Sequence, residues 1–144
     1  LYKLAPTPRT ASKLEQTLSL SHSDNPLNKA ILLNQEGGNF FKQGKFQESA
    51  ESFRKAIKMA PSLTIARENL AVALNGEACQ KMKSGDFKGA EKSLLEAIKC
   101  EENDPKLVDK LKLLLTNYEI VLKNMKRNDE AKMVAERRQS LKTK

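Results

Sequence analysis

Tryptophan is absent from this 144-residue chain, only 5% of its residues are aromatic, and it has one histidine, His22. So few large rings argue against a thick sandwich core. One histidine in a polar stretch leaves almost no material for imidazole acid–base chemistry or a zinc site. Cysteine is scarce as well. Cys79 and Cys100 make no disulfide framework and read as small buried apolar residues, which suits a reducing, intracellular, cytoplasmic setting. No run approaches the ~18 apolar residues that span a bilayer, since the Leu-rich stretch Leu111–Leu122 is broken by Lys112, Thr116, Asn117 and Glu119. A three-part secretory signal, a nucleophile motif and a phosphate loop are all missing. Glu48, Glu51, Glu101 and Glu102 read as solvated helix charges. The expectation is a chain that is no enzyme and needs no cofactor or metal. It begins at Leu1 and not at Met, as a processed piece of a longer protein would.

Charge is present in excess and is uneven. Formal net charge is +8, of which Pro105–Lys144 carries +6 (11 Lys/Arg against 5 Asp/Glu). That end could attract an acidic partner, an anionic membrane or nucleic acid. Its basic residues (Lys126, Arg127, Lys132, Arg137, Arg138, Lys142 and Lys144) do not share one face, and Asp129, Glu130 and Glu136 interrupt them. Stacking aromatics are missing there too, so nucleic acid is the lesser alternative. The plainer reading is a solvated helix face.

Two glycines organise the rest. Gly44 in Lys42-Gln43-Gly44-Lys45-Phe46 recurs as Gly85 in Lys83-Ser84-Gly85-Asp86-Phe87, 85 − 44 = 41 residues on. The stretches after them align: Phe46 with Phe87, Ser49 with Ala90, Phe53 with Leu94, Ala56 with Ala97, Ile57 with Ile98. Self-similarity at such a period predicts stacked helical hairpins, an all-α architecture that usually binds other proteins.

Residues 1–26 read as an arm. Pro6-Thr7-Pro8 is extended or turning, Ala11, Leu14 and Leu18 share a helical face, and Ser21 to Pro26 is a polar linker. Asn25-Pro26 predicts a helix start. A first helix ends at Gly44, and its return runs from about Gln47 to Met59. The second hairpin is expected at about Ser62–Met82 and Gly89–Cys100. Asp104-Pro105 opens a third, whose turn at Lys126-Arg127-Asn128-Asp129 is expected to use Asn or Asp where glycine served before. Ala131, Val134, Ala135 and Leu141 thinly line a polar capping helix. The domain is therefore 27–144, with repeats at about 27–60, 62–100 and 105–142.

These units resemble tetratricopeptide repeats. The first reads Leu33-x2-Glu36-Gly37-x2-Phe40, then Ser49-x3-Phe53, then Pro61. Gly37 and Ser49 are small so that the helices can approach, and Phe40 and Phe53 fill the gap. The second reads Arg67-x2-Leu70-Ala71-x2-Leu74, then Ala90-x3-Leu94. The third reads Leu111-x2-Leu114-Leu115-x2-Tyr118, then Ala131-x3-Ala135. The spacing of 41 exceeds the family's usual 34 and is similar in length to the extended units of kinesin light chain-like proteins.

The resemblance implies a right-handed superhelix whose first helices line a concave groove for a peptide or helix of a partner protein. It places Asn34, Phe41, Lys42, Asn69, Val72, Asn75, Lys83, Lys112, Thr116 and Lys123 in or near that groove, with Glu68, Cys79 and Glu119 beside them. An asparagine amide both donates and accepts, so Asn34, Asn69 and Asn75 could hold an extended backbone without reading its side chains. Phe41 and Val72 would add apolar contact. The carboxylate clamp of some family members fits poorly: its sites fall on Asn34, Gly38, Asn69, Asp109 and Leu113, and Asp109 would repel a carboxylate. The chain thus reads as an adaptor or scaffold module. A variant of that reading has the Leu14/Leu18 arm occlude the groove, or exchange between copies in an oligomer.

Overall fold

Asn25 starts the first helix as its sequence position suggests. Its side-chain oxygen accepts from the Leu27 amide at 2.8 Å, and Pro26, which has no amide hydrogen to lose, takes the first helical position. The computed structural model describes residues 2–4, 7–9 and 25–142, and among them every regular element is helical. In order these are α1 (Pro26–Lys42), α2 (Phe46–Met59), α3 (Thr64–Lys83), α4 (Phe87–Glu101), a 3-10 turn (Pro105–Leu107), α5 (Val108–Asn124) and α6 (Asn128–Ser140). Asp86 caps α4 by accepting from the Gly89 amide at 2.9 Å, and Asp104 opens the 3-10 turn by accepting from Lys106. The face expected of Ala11, Leu14 and Leu18 and the linker from Ser21 to Asp24 lie outside the described residues.

The three hairpin turns share one construction. Gly44 and Gly85 have φ of +76° and +83°, the left-handed region that glycine enters without a Cβ clash. The residue after each closes the turn with a six-residue hydrogen bond: Lys45 to Phe40 at 2.9 Å and Asp86 to Lys81 at 2.8 Å. The third turn repeats this 41 residues on (126 − 85), with Arg127 donating to Leu122 at 2.9 Å. Here the structure corrects the sequence expectation. Neither Asn128 nor Asp129 replaces the glycine; Lys126 does, at φ 61°. Asn128 and Asp129 already belong to the first turn of α6. A left-handed lysine costs about 1–2 kcal/mol.

The chain forms two compact units, residues 6–73 and residues 1–5 with 74–144, so the division falls within α3. In the first, α1 packs on α2. Its core joins Ala30, Ile31, Ala56, Ala60, Leu63 and Ala66, with Leu33, Ile57 and Ile65 against it. Gly37 is required at the helix crossing, because a Cβ there would stand 2.5 Å from the Phe53 ring. Ser49 ties the same point by donating its hydroxyl to the Gly37 carbonyl at 2.7 Å. Phe53 is fully buried, which is worth about 1.5–3 kcal/mol over exposure.

In the second unit α4 packs on α5 and α5 on α6. Leu94, Leu115, Val121 and Leu122 are fully buried there. In α6 only Ala131 is buried, while Met133 is largely exposed. A helix this polar is held mainly by its docked edge, as suits the end of a stack.

Candidate functional site

Four asparagines stand among the most buried side chains of the protein: Asn34 and Asn69 at 2% exposure, Asn75 and Asn117 at 0%. Burying an amide is costly unless its hydrogen bonds are replaced. Their partners therefore say what these residues do.

In the unit of residues 6–73, Asn34 on α1 faces Asn69 on α3. Asn69 Nδ2 donates to Asn34 Oδ1 at 2.9 Å. The rest of the Asn69 amide is turned on the backbone of Arg9. Its Nδ2 donates to the Arg9 carbonyl and its Oδ1 accepts from the Arg9 amide, each at 3.1 Å. That reciprocal pair is the pattern by which an antiparallel strand holds its neighbour. These contacts also fix both amide orientations, since exchanging N and O would set donor against donor. Asn34 Nδ2 is then left buried, with no partner among the described residues. Glu68, next to Asn69 on α3, forms an ion pair with the Arg9 guanidinium.

The unit of residues 1–5 with 74–144 holds a second asparagine pair. Asn117 Nδ2 on α5 donates to Asn75 Oδ1 at 2.8 Å. Both amides converge on one backbone carbonyl, that of Lys3, from Asn75 Nδ2 at 3.2 Å and Asn117 Nδ2 at 3.1 Å. The side chains of the held segments stay largely outside. Lys3, Leu4, Thr7 and Arg9 are exposed, Leu4 at 66%. Both sites grip main chain.

The remaining residues singled out from sequence are placed as follows. Val72 is buried. Phe41 is half-buried and meets Phe46 edge-on, with ring centroids 4.9 Å apart. Lys42 and Lys83 are exposed in the last turns of α1 and α3, where a cation complements the helix dipole. Lys112 is half-buried, and its carbonyl accepts from the Thr116 hydroxyl at 2.9 Å. Lys123 is exposed and pairs with Glu119 at 3.0 Å. Cys79 is buried and Cys100 half-buried, and neither forms a disulfide; burial pushes the Cys79 thiol up, Lys83 partly offsetting it.

Asn117 is the site residue that sequence reasoning missed. It lies 117 − 75 = 42 residues after Asn75, one more than the glycine spacing, so a strict 41-residue register sets Thr116 opposite Asn75 instead.

The basic C-terminal helix engages its own unit. Arg138 bonds Glu119 at 2.5 Å, Arg137 bonds Glu102 at 3.1 Å, and Arg127 reaches Glu91 at 2.8 Å. Burial works against the Glu119 charge, but hydrogen bonds from Arg138 and Lys123 prevail and hold its carboxyl below the usual range. Three of the helix-end arginines are thus committed to carboxylates. Among the described residues no His, Cys, Asp and Glu side chains are grouped to hold a metal ion, and no helix is long and apolar enough to cross a membrane.

Compared with known proteins, the chain matches no family model, no curated protein and no solved structure.

Proposed function

We propose that this chain is a protein-interaction module, an adaptor or scaffold that captures an extended peptide segment by its backbone. The reading fits the resemblance to tetratricopeptide repeats, whose right-handed superhelix offers a concave groove lined by first helices. The observation that carries it is the reciprocal pair of hydrogen bonds between the Asn69 amide and the Arg9 backbone. A buried amide that both donates to and accepts from one residue's main chain can hold an extended segment without reading its side chain. Asn75 and Asn117 on the Lys3 carbonyl support the same chemistry. The module's role is binding, with no catalytic step of its own. Occlusion by the N-terminal arm is a second reading, and one observation favours it: the captured backbone belongs to the chain itself.

The test uses the chain cleaved between residues 9 and 25 and a synthetic peptide of residues 1–12, followed by fluorescence anisotropy. Saturable binding that Asn69→Ala weakens by at least tenfold supports backbone capture. Binding indifferent to Asn69→Ala and to Asn75→Ala refutes it. Salt separates the main alternative: nucleic-acid affinity falls steeply with ionic strength, whereas a backbone-held peptide responds weakly.

A further inference from the structure

The Arg9 clamp has a second contact, to the side chain, that backbone capture alone does not explain. Asn69 fixes the main chain of one residue, and the side chain of that same residue is read separately. Glu68 precedes Asn69 on α3, about 100° around the helix, a gap that an arginine side chain spans while its backbone stays on the asparagine. The Glu68 side chain is 17% exposed, so its carboxylate is partly desolvated and favours a cation, whereas Arg9 is 61% exposed. A planar guanidinium can meet a carboxylate with two parallel donors, and an ammonium cannot. Pro8 adds a third element. It disfavours helical backbone at Thr7, so the segment arrives extended with little entropy left to lose.

Resting on the backbone-capture reading, we propose that the clamp of Asn34, Glu68 and Asn69 takes an extended, proline-stiffened peptide with arginine at the residue Asn69 holds. Residues 7–9 of the chain are that ligand bound in cis. The described residues 7–9 leave one donor of the clamp unused, because among the described residues Asn34 Nδ2 is buried without a partner. A separate segment that also offers a carbonyl to this donor binds more tightly than the arm, by roughly tenfold for one buried hydrogen bond. It needs that advantage, since a tethered segment competes at an effective concentration on the order of millimolar.

The test uses the full chain and a labelled peptide of residues 5–12, titrated by anisotropy. Parallel peptides carry Lys or Ala in place of the arginine. Wild-type chain is expected to bind the arginine peptide weakly, and the Arg9→Ala chain about three- to tenfold more tightly. On the Arg9→Ala chain the Lys and Ala peptides should bind about three- to tenfold more weakly than the arginine peptide. Adding Glu68→Gln, with helix content and Tm checked against the parent chain, should erase that difference. Equal affinity for the three peptides, with all of them lost on Asn69→Ala, overturns arginine selectivity and leaves backbone capture standing. Binding that survives Asn69→Ala, or no binding of the arginine peptide to the Arg9→Ala chain, overturns both.

Discussion

Glu101 makes the stability of this protein depend on pH in a direction opposite to most paired carboxylates. Against the sequence reading of a solvated charge, it closes α4 at 2% exposure, and its Oε2 has no partner among the described residues. Burial raises its carboxyl from 4.5 to about 7, with Lys110 drawing it down in part. From pH 4.5 to about 7 the folded chain keeps a proton that the unfolded chain has released. Stability from this group is therefore complete below 4.5 and is lost as pH rises through about 7. At about 1.4 kcal/mol per unit, the full loss is on the order of 3 kcal/mol. Glu101→Gln removes the charge while keeping the shape. In urea unfolding, the two proteins should be nearly equal at pH 4.5, and the Gln variant should be more stable at pH 8 by up to about 3 kcal/mol. A difference that does not change with pH would refute the reasoning. So would a Gln variant that is weaker at pH 8, because the carboxylate would then be held by Lys110 and not stranded.

Gly37→Ala should destabilise the protein by about 1–3 kcal/mol, the cost of forcing a methyl into the Phe53 ring; an unchanged Tm would show that the ring has room to turn. Lys126→Gly should stabilise by about 1 kcal/mol by relieving the left-handed lysine, read as a rise in urea midpoint with no change in slope. Asn117→Ala should cost about 1–3 kcal/mol, since it strands the buried Asn75 oxygen. It should also speed proteolysis near Lys3, whose carbonyl keeps only Asn75; cleavage at the wild-type rate would mean that Asn117 does not hold the segment.

The hairpins are legible in the sequence because glycine marks where φ must be positive. Gly44 and Gly85 announce their turns and their spacing. The third turn hides, because lysine is not a marker for that backbone and Asn128 and Asp129 are the more conventional candidates. Asn69 and Asn75 are legible through amide chemistry, since a helix-interior asparagine is worth having where a backbone passes. Asn117 is masked by its surroundings, a Leu-rich helix that reads as core. What the two pairs hold is the least legible part. Pro6-Thr7-Pro8 suggests an extended segment, but Arg9 meets Asn69 across 60 residues and Lys3 meets Asn117 across 114. No local pattern encodes a contact that far along the chain.

Holding its own N-terminal residues by their main chain sets an unusual rule for which substitutions the chain tolerates there. At the residue occupying Arg9's place both the amide and the carbonyl are used, so proline is the one amino acid barred outright, having no hydrogen to give. At the residue occupying Lys3's place only the carbonyl is used, and there even proline is admissible. At position 3 many side chains would therefore serve alike, whereas at position 9 the hydrogen bonds of Asn69 would outlast any exchange but proline and the ion pair with Glu68 would not.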